Sequence, residues 1–340
     1  MSLILESNRH HYMCCRELTR IGAPMPLPSQ KRYGFVNFFS EMVHHLFMAD
    51  IKKRLPNNVE GEFFVDSTCI DCDACRQLAP EIFDDADDYS FVKAQPSTPE
   101  QRREATRALL ACPTGSIGTL GTNESKQVMS DFPLRIEGEV YYCGFNSPKS
   151  YGGNSYFLKH AEGNWLIDSP KYLPHLVKRF EELGGIRYIF LTHRDDVADA
   201  HRYAERFQSK RIIHRRELAA QPGAEIVLEG EKPVVLFPDF LVIPTFGHTQ
   251  GHCVLLYRNY FFFTGDHLWW SRTKNTLSAS EEVCWYSWED QIESMEKLQC
   301  FEFQWVLPGH GQRAKLPVDE MKKRLAQLVG RMKDSLPVAV

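Results

Sequence analysis

Cys69, Cys72 and Cys75 stand three residues apart, and a fourth cysteine, Cys112, comes immediately before Pro113. Cys-x-x-Cys-x-x-Cys puts three thiolates on one tight loop, a pitch that wraps three corners of a cubane, while a distant Cys-Pro supplies the last corner. In two-cluster proteins the fourth cysteine of such a run serves the other cluster. This chain has no second such run, so Cys112 is expected to close the same cluster. The direct reading is one [4Fe-4S] cluster and electron transfer. Four cysteines can also hold Zn²⁺ in a tetrahedron, but zinc sites usually pair two knuckles instead of placing three ligands at this pitch.

The elements needed to position these ligands are visible around them. Between the two ligand groups lie Ala79-Pro80-Glu81-Ile82-Phe83, an acidic turn from Asp84 to Asp88, and a helix-like stretch from Pro99 through Leu110 that delivers Cys112. Cys112-Pro113-Thr114-Gly115-Ser116-Ile117 then opens a last strand. Over residues 60 to 120 this resembles the single-cluster ferredoxins, which implies a small α+β domain, assigned to residues 48–122.

From residue 130 onward, short β-rich runs punctuated by Gly and Pro alternate with helical segments. Tyr156–Leu158 and Trp165–Asp168 read as strands joined by a Gly163-Asn164 turn. A helix is expected over Tyr172–Leu183, ending at Gly184-Gly185, then a strand over Tyr188–Leu191 and a helix over Arg194–Phe207. Polar residues recur at the ends of such runs: His193 after Thr192, His248 in Gly247-His248-Thr249-x-Gly251-His252, Asp266 in Phe263-Thr264-Gly265-Asp266, and His310 in Leu307-Pro308-Gly309-His310-Gly311. Imidazoles and carboxylates carried on rigid supports from separate loops are what an open metal site requires. Glycines beside them let backbones approach closely.

The order of these motifs resembles the metallo-β-lactamase-fold superfamily of metal-dependent hydrolases and oxidoreductases, over residues 130–320. The resemblance implies an αββα sandwich of two mixed sheets with a metal site at one edge. His248, Asp266 and His310 match the family's third histidine, bridging aspartate and last histidine. The first motif departs from the family's Thr-His-x-His-x-Asp-His, reading Thr192-His193-Arg194-Asp195-Asp196-Val197. A gapped alignment puts Asp195 at the family's aspartate and Asp196 in place of its final histidine. The metal-ligand set implied is His193, Asp196, His248, Asp266 and His310, with Asp195 and Asp196 the candidate catalytic acids, and one or two divalent ions (Fe, Zn or Mn) as cofactor. Two arrangements follow. In one, His193, His248 and Asp266 form a 2-His-1-carboxylate set suited to mononuclear iron, resembling the iron-binding, persulfide-oxidising branch. In the other, Asp195 or Asp196 joins Asp266 and His310 around a second, oxygen-rich position. Loss of the metal is the third outcome. His252 reads as pocket lining, His267 follows Asp266 on a neighbouring loop, and His201 reads as a surface or capping side chain. Trp269-Trp270 and Trp285-x-x-Trp288 serve either pocket or core.

Length and composition frame these sites. A chain of 340 residues suggests about two domains. A net charge of -4 gives no basic footprint for nucleic acid. No apolar run is long enough to span a membrane. Ten cysteines, grouped this specifically, point away from a disulfide scaffold and toward a reducing compartment, cytoplasm or organelle stroma or matrix. Residues 1–47 lack periodicity and read as a poorly ordered extension or leader, with Met48 a natural-looking start. Residues 321–340 read as a C-terminal helix or tail. The fold class is therefore α+β, a ferredoxin-like domain followed by the sandwich. Two functions remain open: a metal-dependent hydrolase or oxidoreductase served by a redox partner protein and acting on a small molecule, or a non-catalytic electron carrier or redox sensor.

Overall fold

Alternation of buried side chains dictates the central architecture. In the strand Phe240–Pro244, Phe240 and Val242 belong to one apolar cluster while Leu241 and Ile243 belong to another, because successive side chains point to opposite faces. A strand buried on both faces needs a layer on each side, and the computed structural model supplies them. It describes residues 49–336, together with the backbone of Thr19–Arg20. The expected extension over 1–47 otherwise lies outside the described residues, as do residues 337–340.

Two seven-stranded mixed sheets face each other. The first runs in the order Ile226–Leu228, Lys210–His214, Tyr188–Phe190, Trp165–Ile167, Tyr156–Leu158, Val140–Tyr142, Leu134–Glu137. Its first four strands are parallel and the rest antiparallel. The second runs Thr19–Arg20, Val234–Phe237, Phe240–Pro244, Cys253–Tyr257, Phe261–Gly265, Trp305–Pro308, Ala314–Lys315. Between the sheets Trp165 stacks on Phe240 with ring centroids 4.1 Å apart, and Tyr156 meets Phe263 at 5.4 Å.

Helices cover both outer faces. Phe157, the neighbour of Tyr156 on its strand, points away from the second sheet and stacks on Phe180 of helix Pro174–Glu182. Helices Trp288–Leu298 and Val318–Asp334 cover the second sheet. The stripe Met321, Leu325, Leu328, Val329 and Met332, at helical spacing, is buried there. The C-terminal segment is thus a packed element.

One expected helix is shorter. Residues 194–199 form a loop, and only Ala200–Phe207 is helical. The Asp199 carboxylate accepts from the Tyr172 backbone N–H (3.0 Å) and from Lys149 Nζ (2.8 Å), and Ala198 sits at φ +35°. These tertiary bonds hold the segment outside helical geometry, and it carries Asp195 and Asp196 into the sheet edge.

The smaller unit precedes the sandwich. Strand Phe63–Val65 pairs antiparallel with Ile117–Thr119, and Phe83–Asp85 with Ser90–Val92. Helix Pro99–Ala111 begins with the side chain of Thr98 accepting from the Gln101 N–H at 3.2 Å and Pro99 at the first turn. It ends at Cys112, whose N–H bonds back to the Ala108 carbonyl. Among the described residues no helix is long and apolar enough to cross a membrane.

Candidate metal centre and cluster loop

All four expected cysteines line one cavity, together with Val65 and Ile70. Asp71 and Asp73, on either side of Cys72, both adopt positive φ (55° and 63°), so the loop turns sharply enough to aim its thiols inward. Buried Arg76 clamps it, reaching Asp73 at 2.6 Å, Asp71 at 2.8 Å and Asp85 at 3.0 Å. The Ser116 N–H lies 3.3 Å from Cys112 Sγ and the Ser90 N–H 3.5 Å from Cys69 Sγ, the kind of bond that tunes a cluster's potential. Burial, then repulsion from neighbouring cysteines, pushes the Cys72 thiol well up, and burial raises Cys75 to about 12. Thiols raised in this way ionise together only around positive charge. This donor set fits an iron–sulfur cluster, which would be held by Cys69, Cys72, Cys75 and Cys112.

The second constellation assembles at one edge of the sandwich. His193 follows strand Tyr188–Phe190 and is fully buried. Its Nδ1 lies 2.9 Å from Thr192 Oγ1, which is 3.0 Å from both carboxylate oxygens of Asp168, at the end of the neighbouring strand. The partner of the second ring nitrogen is thus a hydroxyl relayed to a carboxylate. Burial raises the Asp168 carboxyl to about 8; with Thr192 Oγ1 donating to it, His193 carries its proton on Nδ1 and presents an unprotonated Nε2. Burial lowers the His193 pKa to about 3, keeping the ring neutral.

His248 arrives from the loop after Phe240–Pro244. Gly247 beside it has φ +137°, and a Cβ there would sit 2.4 Å from the Gln291 backbone, so only glycine admits this approach of loop to helix. Asp266 follows strand Phe261–Gly265. Its Oδ2 lies 3.6 Å from His193 Nε2 and 3.7 Å from His248 Nε2. His310 follows Trp305–Pro308 and holds Asp266 through Nδ1 at 2.8 Å. Burial opposes charge on this pair, yet each holds the other ionised: Asp266 falls below the usual carboxylate range and His310 rises to about 10.

The two neighbouring acids divide in a way the gapped alignment does not give. Asp195, half exposed, places Oδ2 3.8 Å from both His193 Nε2 and His248 Nε2. Counted without a gap, position 195 is the motif's second histidine, and Asp195 takes that corner. Asp196 is buried, neither of its oxygens has a hydrogen-bond partner, and it sits with His193 and Asp266, their ligand atoms within 4.8 Å of one another. Burial, then the charge of Asp266, pushes its carboxyl well up.

These residues fit a bound cation. His193 Nε2, His248 Nε2 and both oxygens of Asp196 are buried without partners, an arrangement costly unless an ion satisfies it. Donors sharing one tetrahedral ion at roughly 2.0–2.2 Å sit roughly 3.3–3.6 Å apart, close to the observed 3.6–3.8 Å. His252 and His267 lie behind, their rings stacked at 5.5 Å, with His252 5.1 Å from His193. His252 Nδ1 bonds Thr245 Oγ1 at 2.9 Å. Of the tryptophans, Trp288 is core, while exposed Trp285 stands 6.2 Å from the His248 ring. Exposed Tyr151 stands 6.5 Å from His310, and no signal in the sequence marked it.

The 4Fe-4S single cluster domain of ferredoxin I matches residues 65–119. This chain carries a single-cluster 4Fe-4S domain. Among solved structures the chain is similar to the metallo-β-lactamase FIM-1 from Pseudomonas aeruginosa in its mono-zinc form (20% identity, TM-score 0.47, 60% of this chain and 95% of that one). It is also similar to ETHE1 from Myxococcus xanthus (17%, TM-score 0.43, 58% and 92%) and to the archaeal superfamily protein ST1585 from Sulfolobus tokodaii (16%, TM-score 0.40, 60% and 90%). No curated protein matches the sequence. Residues 134–334 form a sandwich of two mixed sheets with outer helices, and His and Asp side chains gather at its strand ends.

Proposed function

We propose that this chain is a metal-dependent oxidoreductase, with iron at the sandwich edge and the [4Fe-4S] cluster as its electron port. The observation that carries the reading is the corner occupied by Asp195, whose Oδ2 faces both His193 and His248 opposite the carboxylate of Asp266. Two imidazoles with two carboxylates make a ligand set that favours iron or manganese over zinc relative to an all-imidazole site. Anionic ligands also blunt the Lewis acidity on which hydrolytic activation of water depends. When bound, the ion supplies one-electron chemistry and an open position for substrate.

The chain's own residues do the positioning. Thr192 and Asp168 fix the tautomer of His193, and His310 orients Asp266. Trp285 and Tyr151 flank the opening and suit a small molecule with an apolar part. Electrons come from a redox partner protein, in a reducing compartment where the cysteine ligands stay free. The test is anaerobic purification with metal analysis and EPR. The expected result is about four cluster irons plus one or two further iron or manganese ions that His193→Ala/His248→Ala removes. Cluster iron alone overturns the reading and leaves an electron carrier or sensor.

A further inference from the structure

Two adjacent glycines separate a cluster ligand from a carboxylate of the metal pocket. A Cβ at Gly152 would lie 2.6 Å from Cys72 Cβ and 3.1 Å from its Sγ; one at Gly153 would lie 2.6 Å from Asp196 Oδ1. Gly152 also has φ +86°. Neither site has room for a side chain, so the backbone itself fills the seam. With consecutive Cα atoms about 3.8 Å apart, Cys72 Sγ lies no more than about 13 Å from the Asp196 carboxylate.

The seam is firmly held. Gly152 N–H donates to the Ser147 carbonyl and Gly153 N–H to that of Ser150, both at 2.8 Å. Asn146 Nδ2 donates to the Gly152 carbonyl at 2.6 Å, and the Asn154 N–H to the Gly309 carbonyl at 2.6 Å. Asn146, Ser147, Ser150 and Asn154 are all buried. From the cluster side, Lys171 Nζ donates to the Pro113 carbonyl (2.7 Å) and Gln77 Nε2 to that of Gly311 (2.8 Å). A buried, hydrogen-bonded contact of this kind transmits charge with little solvent screening.

We propose that the Gly152–Gly153 seam couples the two centres: a cation held by His193, Asp195, His248 and Asp266 raises the cluster's reduction potential, and cluster reduction in turn tightens cation binding. The coupling rests on the metal reading above. Cluster reduction adds one electron beside Cys72, and a divalent cation at His193 and Asp266, whose ligand atoms lie within 4.8 Å of that of Asp196, is attracted more strongly. At an effective dielectric of roughly 20–40 the effect is roughly ten- to a hundredfold in cation affinity. By linkage the same factor appears in the cluster's potential, roughly 60–120 mV for a one-electron couple.

The test uses the full chain with its cluster intact, stripped of pocket metal by a chelator and titrated with Zn²⁺, which is redox-inert. Dithionite supplies the single electron that takes the cluster from its 2+ to its 1+ state, and EPR-monitored potentiometry reads the midpoint. Zinc saturation should raise the midpoint by that amount, and His193→Ala/His248→Ala should abolish the rise while the cluster signal stays. In Gly153→Ala, where the added methyl pushes against Asp196, zinc should bind more weakly. Zinc bound at the pocket with an unmoved midpoint overturns the coupling alone. Absence of binding by zinc and by Mn²⁺ alike overturns the metal reading and the coupling with it.

Discussion

The cluster loop and the metal pocket solve the same problem, holding cations with buried side chains, by different means. Cys69, Cys72 and Cys75 come from a single turn whose shape is set by Asp71, Asp73 and the Arg76 clamp, with Cys112 delivered by one helix end. His193, Asp195, His248, Asp266 and His310 come from four strand ends in two sheets, more than a hundred residues apart in the chain. The cluster site depends on local backbone geometry. The pocket depends on the sandwich being assembled. The lesson is that damage to one should spare the other, except across Gly152 and Gly153, where they touch.

Mutations that break this independence, or sharpen it, can be ordered by size. Cys75→Ser should bleach or convert the brown chromophore and abolish the reduced-state EPR signal while leaving pocket metal in place, read by metal analysis. A normal cluster spectrum would remove Cys75 from the ligand set. Asp266→Asn should do the reverse, since its carboxylate faces His193, His248 and His310. Pocket affinity in a chelator competition should fall by more than the roughly 10–100-fold typical of outer partners, with the cluster spectrum unchanged.

Smaller effects separate the supports. Arg76→Met strands three acids around the cluster loop. Because Asp71 and Asp85 keep partial solvent contact, the cost should be about 2 kcal/mol, below that of a fully buried pair. It should appear as a lower melting temperature and faster cluster loss. Thr192→Val removes the hydroxyl between Asp168 and His193 and should weaken pocket metal binding about tenfold, with the melting temperature little changed. Thr98→Ala removes the cap of the helix that delivers Cys112, costing about 1 kcal/mol and leaving both metal contents unaltered.

The same contrast explains what could be read without coordinates. The cysteine pitch and the helix starting at Pro99 are local, so that helix was legible to within a residue. His193, His248, Asp266 and His310 were legible because each closes a strand-like run in a fixed order. Which of Asp195 and Asp196 takes the vacant histidine's place was not, because two adjacent acids allow a gap to be placed either way and only the loop at 194–199 decides which one faces both histidines. The helix expected there was overridden by the Asp199 bonds to Tyr172 and Lys149. Asp168, Arg76 and the glycine seam left no mark at all. Their roles arise from contacts with residues distant in the chain or, for Arg76, from a fold-dependent turn.

The central claim, an iron-loaded pocket beside an iron–sulfur cluster, is tested most directly by anomalous diffraction from crystals of anaerobically purified protein, collected across the iron and zinc absorption edges. The expected result is one iron peak among Cys69, Cys72, Cys75 and Cys112 and a second between His193 Nε2, His248 Nε2 and the carboxylates of Asp195 and Asp266. A lone peak at the cysteines, or a second peak that appears only at the zinc edge, would contradict it.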